Sequence, residues 1–394
     1  MRINKKRLKT SMLEIGNIGK DSTGGITRLA FSHEYKVAAW RLSQLMEDAG
    51  LEVKQDPLAT IYGRRDGEDN TLPAIMFGSH LDTVKNGGLY DGLLGIMSGL
   101  EVINTLNDLG ITTKNPLELV AFNAEEGSAM GGTFASRVIA GLISPDKSFL
   151  QDHLPDYNLR PEDLLASRRN LNEIKAFLEL HIEQGRVLEG ENIPIGIVTG
   201  IAGITRYQVE IIGEANHSGT TPMGLRKDAL VTAAKLILEV ENIARELGEP
   251  FVATIGTLEI KPGAVSIIPG EVELIIEIRD LDQTKIDVAG GQITDYLNQI
   301  SKDIQIERIV NKTPVKTAPD IVNIIEKACK KLGISGRKII SGAGHDAKEI
   351  ARKVPTGMIF VPSIAGKSHC PEEKTSWEDI YLGTEVLLET ILSI

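Results

Sequence analysis

The chain has 394 residues, of which 42% are hydrophobic, and it carries a formal net charge of −11. This length provides for a large core and is typical of two domains. An acidic chain with no dense Lys/Arg cluster beyond its first residues argues against nucleic acid as a partner. No window reaches the roughly 18 apolar residues of a membrane span, and no apolar stretch follows the basic opening. We therefore expect no membrane insertion and a cytoplasmic location.

The first part of the chain alternates helices with short apolar strands. An amphipathic pattern predicts a helix from His33 to Ala49 that ends at Gly50, and a second helical stretch runs from Gly92 to Leu109. Apolar runs predict four strands, at 73–80, 117–126, 176–183 and 356–363. This rhythm predicts an α/β fold, with a mixed sheet covered by helices on both faces.

The pattern changes in the middle of the chain, where TRYQVEIIG alternates apolar and polar residues along a strand with one solvated face. The elements that follow are a helix at 226–247, strands at 251–260 and 271–280, a helix at 284–300 and a strand at 304–310. Their order, βαββαβ, is that of a ferredoxin-like domain. We therefore predict an inserted domain at 206–315 and a mixed α/β/α domain formed by 1–205 and 316–394.

Histidine is scarce, seven in 394 residues, yet three histidines stand at or just beyond strand ends, where open α/β sheets place their sites. Together with nearby carboxylates they give five candidate metal ligands: His80, Asp91, Glu126, His181 and His369. Imidazole with carboxylate suits zinc or manganese, and also cobalt or nickel, better than calcium. If Asp91, in the loop GGLYDG, bridges, the set holds two divalent ions that activate a water.

Two further acidic residues have predicted roles beside these ligands. Glu125 precedes a ligand at a strand end, so it is the candidate general base. Asp82 is placed to accept a hydrogen bond from the ring nitrogen of His80 that does not bind metal. Any one of these histidines taken alone is more often a structural residue, and their convergence on one sheet edge favours a metal site.

Several motifs along the chain carry this chemistry: GGITRLAFS (24–32), GSHLDTV (78–84), YDG (90–92), NAEEGS (123–128), HIEQG (181–185), GEANHSGTTPMGLRKDA (213–229), SGAGHDA (341–347) and VPSIAGKSHCPEE (361–373). They resemble the hydantoinase/carbamoylase branch of the M20 dinuclear metallopeptidase family. That branch includes N-carbamoyl-L-amino acid hydrolases, allantoate amidohydrolases and β-ureidopropionases. The resemblance runs almost end to end.

The resemblance implies a division of the ligands. One ion takes His80, Asp91 and His181, and the other takes Asp91, Glu126 and His369. It also implies that Glu125 is the general base, that Asp82 supports the site, and that the inserted domain is a lid and dimerisation domain. A homodimer follows, in which His217 reaches the partner's active site and steadies the oxyanion.

The resemblance also implies substrate contacts. Arg279 matches an arginine that clamps the substrate carboxylate, for which a guanidinium is suited. Further candidates are Arg206, His345 and, more weakly, Gln184. Two departures affect the pocket: Ser266 stands where the family has asparagine, and Ala129-Met130 replace an Arg-Phe pair.

The predicted reaction is hydrolysis of the ureido C–N bond of an N-carbamoyl-L-amino acid, a small anionic substrate, with release of ammonia, carbon dioxide and the amino acid. The alternative reaction is hydrolysis of allantoate, which the presence of Arg206 favours. More distant alternatives are an M20 aminopeptidase or N-acyl amino acid deacylase, and a metal-binding scaffold without catalysis. The intact Glu125 argues against a scaffold, because a structural metal site needs no base.

Overall fold

A computed structural model describes residues 2–145, 147–300 and 303–394, without the side chains of Ser148 and Phe149. The chain forms two compact units, one of Met1–Thr199 with Thr317–Ile394 and one of Gly200–Lys316. The limits at 206 and 315 that we predicted for the inserted domain stay a prediction. Among the described residues, no helix has the length and apolar character needed to cross a membrane.

The first unit contains most of the elements predicted from apolar runs. Its helices are α1 (Lys5–Gly16), α2 (His33–Asp48), α3 (Leu93–Asp108), α4 (Phe134–Ile139), α5 (Ser148–His153), α6 (Pro161–Ala166), α7 (Val187–Glu191), α10 (Pro319–Leu332), α11 (Asp346–Ile350) and α12 (Trp377–Ser393). The strands of its sheet, counting those at the junctions with the second unit, are β1 (Glu52–Gln55), β2 (Ile61–Arg65), β3 (Ala74–His80), β4 (Leu117–Phe122), β5 (Ile174–Ile182), β6 (Ile195–Ile201), β11 (Val315–Lys316), β12 (Gly336–Ser341) and β13 (Thr356–Val361). Strand β6 ends just beyond Thr199, and β11 lies just before Thr317. Both strands therefore include residues of the second unit.

These strands form one mixed sheet. Among the described residues its order is β1-β2-β4-β3-β5-β13-β6-β11, with β12 paired to β6. The centre is parallel, because β3 runs parallel to β4 and β5, and β5 parallel to β13. The flanking pairs are antiparallel. Parallel central strands bring their carboxyl ends, and the residues that follow them, to one edge.

Side-chain alternation divides the two faces of this sheet. On β5, Leu178 and Leu180 lie in the main core cluster with residues of α1, α2, α3, α10 and α12. Glu179 and His181 therefore lie on the opposite face. That face contacts α11, which packs on β3, β5 and β13. The sheet thus buries polar side chains of its central strands beneath a short helix.

The second unit has the predicted βαββαβ order: β7 (Gly203–Ile212), α8 (Ala229–Leu247), β8 (Val252–Lys261), β9 (Glu271–Asp280), α9 (Gln283–Ile300) and β10 (Ile304–Lys312). Its sheet is antiparallel in the order β10-β7-β9-β8, and α8 and α9 form its apolar core on one face. Helix α8 begins three residues later than predicted, because Asp228 caps it by accepting hydrogen bonds from Leu230 N and Val231 N. The predicted fold class is confirmed.

Candidate metal centre

Two strand-end histidines and one loop aspartate form a buried group. His80 ends β3 and His181 lies near the end of its parallel neighbour β5. Asp91 follows β3 in a loop that turns into α3 at Gly92, whose φ is +67°. The Nε2 atoms of His80 and His181 lie 3.5 and 3.0 Å from Asp91 Oδ1. All three residues are at most 4% exposed.

The contact between His181 and Asp91 has the form expected of two metal ligands. His181 Nε2 is buried and makes no hydrogen bond with any described residue, although Asp91 Oδ1 is only 3.0 Å away. Its other ring nitrogen, Nδ1, lies 2.8 Å from the carbonyl oxygen of Ile182, which makes Nδ1 the donor and leaves a lone pair on Nε2. A lone pair and a carboxylate oxygen directed at the same space suit a cation.

A second group shares Asp91 and opens to solvent. His369 Nε2 lies 3.2 Å from Asp91 Oδ2 and 3.3 Å from Glu126 Oε2. Glu126 Oε1 is buried without a hydrogen-bond partner among the described residues. The side chain of His369 is 49% exposed, in contrast to the first group. In each group the three candidate ligand atoms lie within 4.8 Å of one another. The structure therefore brings all five predicted ligands together in two groups that share one carboxylate.

The charge of this cluster also fits cations. Burial raises the pKa of Glu126 to about 8 and raises the pKa of Glu125 well above its usual value. The Asp91 carboxylate raises the pKa of His369 to about 9. Each raised pKa means that the group holds a proton more strongly than usual, because the cluster favours positive charge. Divalent ions can supply that charge in place of the protons.

The Glu125-Glu126 turn is held by Asp82, in a way the sequence did not predict. The Asp82 carboxylate accepts hydrogen bonds from Glu125 N at 3.2 Å and Glu126 N at 3.1 Å. His80 Nδ1 instead lies 3.0 Å from the main-chain carbonyl of Asp82 and 4.0 Å from its carboxylate. The predicted carboxylate contact to His80 is therefore wrong, because both carboxylate oxygens serve the glutamate turn.

Glu125 lies beside the first ligand group. Its Oε2 is 4.0 Å from His80 Nε2, and the residue is 9% exposed. The preceding Ala124 has a φ of +57°, a left-handed conformation that is uncommon for a residue with a side chain. This turn lets two successive glutamates leave the strand end on the same side of the sheet.

His345 and Glu179 lie directly against His181. The rings of His345 and His181 are 4.5 Å apart in an edge-on arrangement, and His345 is 1% exposed. Glu179, which sequence reasoning missed, accepts hydrogen bonds from Ser79 Oγ at 2.6 Å and from Ala347 N at 2.9 Å. Its position two residues before His181 on the same strand face was the available signal. The substrate contact that we predicted for His345 stays a prediction.

Gln184 belongs to the metal centre by geometry. Its Nε2 donates a hydrogen bond to Asp91 Oδ2 at 2.8 Å and lies 3.4 Å from His369 Nε2. Like His369, it has a left-handed backbone, with φ of +60° and +58° respectively. Sequence reasoning also missed Glu373, which contacts the Asp91 loop and Ser368.

In the second unit, His217 has a defined tautomer. Its Nδ1 accepts hydrogen bonds from Gly219 N at 3.0 Å and Thr220 N at 3.2 Å, so the neutral ring carries its hydrogen on Nε2. The residue is exposed, which leaves this N–H available as a donor. The loop of Ser266 lies alongside, because Ser218 N donates to Ser266 O at 2.9 Å.

The two predicted anion-binding arginines share one carboxylate. Arg206 on β7 and Arg279 on β9 both bind Glu277, at 2.6 and 2.8 Å. Glu277 lies directly opposite Arg206 in the sheet and two residues before Arg279. The shared glutamate fixes both guanidinium groups on the face of the sheet that does not carry the helices.

Imidazole and carboxylate groups that converge at the carboxyl edge of central parallel strands suit divalent metal ions, and pairs of such ions are typical of hydrolases. The chain matches Peptidase family M20/M25/M40 over residues 76–393. It is 38% identical to an N-carbamoyl-L-amino-acid amidohydrolase of Pseudomonas sp. strain NS671, over 99% of this chain and 98% of that one. It is 34% identical to the allantoate amidohydrolase of Escherichia coli strain K12, over 95% and 94%. A solved amidase of the hydantoinase/carbamoylase family from Burkholderia multivorans has a TM-score of 0.92 at 33% identity, over 100% and 98%.

The chain belongs to Peptidase family M20/M25/M40. The resemblance to its hydantoinase/carbamoylase branch is confirmed, and so is the predicted class, a hydrolase of C–N amide bonds. Metal dependence is supported by this family and by the two ligand groups.

Proposed function

We propose that the chain hydrolyses the ureido C–N bond of an N-carbamoyl-L-amino acid and releases ammonia, carbon dioxide and the amino acid. The observation that carries this proposal is the pair of ligand groups that share Asp91, with Glu125 beside them. The activity named for the Pseudomonas relative supports the choice of substrate.

In this proposal, His80, Asp91 and His181 would hold one divalent ion, and Asp91, Glu126 and His369 would hold the other. Zinc or manganese suits these ligands, and cobalt or nickel is acceptable. The supply of each metal therefore decides which ion the protein binds. Two such ions lower the pKa of water and polarise a carbonyl oxygen.

Glu125 is proposed as the group that moves the proton. It accepts a proton from the attacking water and returns it to the leaving nitrogen. The carboxyl group keeps that proton between the two steps. Asp82 positions Glu125 through the hydrogen bond to its main-chain nitrogen.

The second unit is proposed to recognise the substrate. His217 of the partner subunit donates its Nε2 hydrogen to the oxyanion, for which preorganised donors have a large effect. Arg279 binds the substrate carboxylate, and Glu277 keeps its guanidinium in place. Further substrate contacts are proposed for Arg206, Ser266, Gln184 and His345.

Allantoate is the second candidate substrate. The Escherichia coli relative is named for it, and Arg206 lies beside Arg279 on the shared Glu277, which gives two guanidinium groups near one position. A substrate with more hydrogen-bond acceptors than an N-carbamoyl amino acid would bind both guanidinium groups.

The test is to load the protein with Zn²⁺ or Mn²⁺ and measure ammonia release from N-carbamoyl-L-amino acids and allantoate. The matched amides without a ureido group are N-acetyl amino acids and dipeptides, for which release of the free amino acid is measured. We expect turnover of N-carbamoyl-L-amino acids. Turnover of only the amides without a ureido group contradicts the proposal. In Glu125→Gln we expect two bound metal ions per chain and a loss of activity, and unchanged activity contradicts the role of Glu125.

A homodimer through the second unit is also proposed. Among the described strands, β8 pairs only with β9, so its outer edge is open for pairing. Apolar side chains are exposed nearby on β8 and α8, including Leu258 at 37% and Leu238 at 62%. We expect Leu238→Lys to yield monomers in light scattering. Leu165→Lys in α6, where Leu165 is 50% exposed, is the matched control.

A cytoplasmic location completes the proposal. Both cysteines, Cys329 and Cys370, are free thiols, as expected in a reducing compartment.

A further inference from the structure

Glu373 is a buried carboxylate that lies against the loop of Asp91, 282 residues away in sequence. Its Oε1 accepts hydrogen bonds from Tyr90 N at 2.9 Å and Asp91 N at 3.0 Å. A Cβ atom on Gly88 would lie 2.1 Å from Cδ of Glu373, so the loop packs directly on this side chain. Glu373 is 5% exposed, and it therefore fixes the backbone from which Asp91 extends.

The other oxygen of Glu373 meets a hydroxyl group that also contacts Asp91. Ser368 Oγ lies 2.8 Å from Glu373 Oε2 and 3.0 Å from Asp91 Oδ2. It also accepts a hydrogen bond from Gln184 Nε2 at 3.2 Å. A hydroxyl has one hydrogen, so Ser368 donates to only one of the two carboxylates at a time.

The destination of this hydrogen matters for Asp91. Asp91 Oδ2 already accepts a hydrogen bond from Gln184 Nε2 at 2.8 Å. A carboxylate oxygen has two lone-pair positions, so a second hydrogen bond, from Ser368, would leave Asp91 Oδ2 without a lone pair for a cation. The shorter distance from Ser368 favours donation to Glu373.

We propose that Glu373 is a positioning residue for Asp91. It holds the Asp91 backbone and accepts the hydrogen bond of the Ser368 hydroxyl, so that Asp91 Oδ2 keeps a lone pair for a cation. This inference rests on the proposed metal site and adds to it a residue that controls the solvent-open ligand group. Partners of metal ligands act in this way by setting ligand orientation and basicity.

The substitution Glu373→Gln separates the two parts of this role. The amide oxygen must face Tyr90 N and Asp91 N, because the amide NH₂ would meet those two donors unfavourably. The NH₂ group then points at Ser368 Oγ and donates to it, so the Ser368 hydrogen moves to Asp91 Oδ2. We expect affinity for the second Zn²⁺ ion to fall about 10- to 100-fold, with a smaller effect on the first.

The experiment is a calorimetric titration of metal-free protein with Zn²⁺ in the presence of a competing chelator. Circular dichroism of each metal-free variant verifies folding. Ser368→Ala removes the contested hydrogen, so we expect it to bind the second ion as the wild type does. In the double variant, Glu373→Gln with Ser368→Ala, we expect the affinity of Ser368→Ala alone, because no hydrogen remains to occupy Asp91 Oδ2.

Three results would overturn this inference: an unchanged second affinity in Glu373→Gln, no recovery in the double variant, or a tenfold loss in Ser368→Ala. The last of these needs only Ser368→Ala and applies even if Glu373→Gln does not fold. Fewer than two Zn²⁺ ions bound to the wild type would instead contradict the proposed two-metal function, so the two failures are distinguishable.

Discussion

Asp82→Asn tests whether main-chain hydrogen bonds position the general base. The wild-type carboxylate is fully buried and accepts one hydrogen bond at each oxygen, from Glu125 N and Glu126 N. An asparagine amide has one acceptor oxygen, and its NH₂ group faces the other main-chain N–H. One buried donor is left without an acceptor, which costs about 1–3 kcal/mol. We therefore expect the folded state to lose stability by about this amount.

The same substitution is expected to slow catalysis. A displaced turn misplaces Glu125 relative to its substrate, and a shift of about 1 Å can lower a rate by roughly 100-fold. We expect kcat to fall by about this factor in steady-state assays of ammonia release, with a much smaller change in KM. Urea denaturation of the metal-free protein measures the change in stability.

Asp69→Asn is the matched control for this prediction. Asp69 also accepts a hydrogen bond from a main-chain nitrogen, that of Thr71 at 2.9 Å, but the residue is exposed, so water can replace the lost acceptor. We expect wild-type stability and kcat in this variant. If Asp82→Asn also keeps the kcat and the stability of the wild type, hydrogen bonds to the glutamate turn do not position Glu125.

Three further predictions concern packing, metal exchange and pH. Gly88→Ala places a methyl group against Glu373, and we expect the free energy of unfolding, measured by urea denaturation, to fall by about 1–3 kcal/mol. The control is Gly190→Ala, where a Cβ atom meets no described atom within 4 Å. Equal stability of the two variants would refute the clash. Because His369 is exposed and the first ligand group is buried, we expect a chelator to remove one Zn²⁺ ion quickly and the other slowly. His369→Ala should abolish the fast phase. A single phase of Zn²⁺ removal from the wild type would contradict this difference between the two groups. Burial raises the pKa of Asp56 from 3.8 to about 7, so the folded chain keeps a proton that the unfolded chain releases, and stability falls as pH rises between these values. Denaturation at pH 5 and pH 8 measures this loss, which Asp56→Asn should remove; an equal loss in both proteins would rule out Asp56 as its cause.

The sequence was sufficient to predict four strands and two helices of the first unit, the element order of the second unit and the five candidate ligands. Strand β9 has the predicted bounds, and α2 ends one residue before its predicted end, because apolar periodicity and cap residues are local signals. The ligands were predictable for a topological reason. Parallel strands carry their carboxyl ends to one edge, so residues distant in sequence, such as His80 and His369, meet there.

The residues that support the ligands were not predictable in the same way. Glu179 and Glu373 act through contacts with Ala347 N and Asp91 N, which are 168 and 282 residues away. Main-chain nitrogens have no sequence signature, so a carboxylate that binds them looks like any other acidic residue. The role of Asp82 was misassigned for the same reason, since its partners are the main-chain nitrogens of Glu125 and Glu126.

The metal centre is also where the backbone departs from favoured conformations. Ala124, Gln184 and His369 all have left-handed φ values, and each is a predicted site residue or directly precedes one. Such conformations persist only where neighbouring contacts enforce them. Ala124 N donates to Asn123 Oδ1 and Gln184 N donates to Ser363 Oγ, both at 2.9 Å. A regular strand would alternate its side chains between two faces, whereas these turns direct side chains from three strand ends towards one carboxylate, Asp91. The strained turns are therefore the means by which a regular sheet acquires a convergent site.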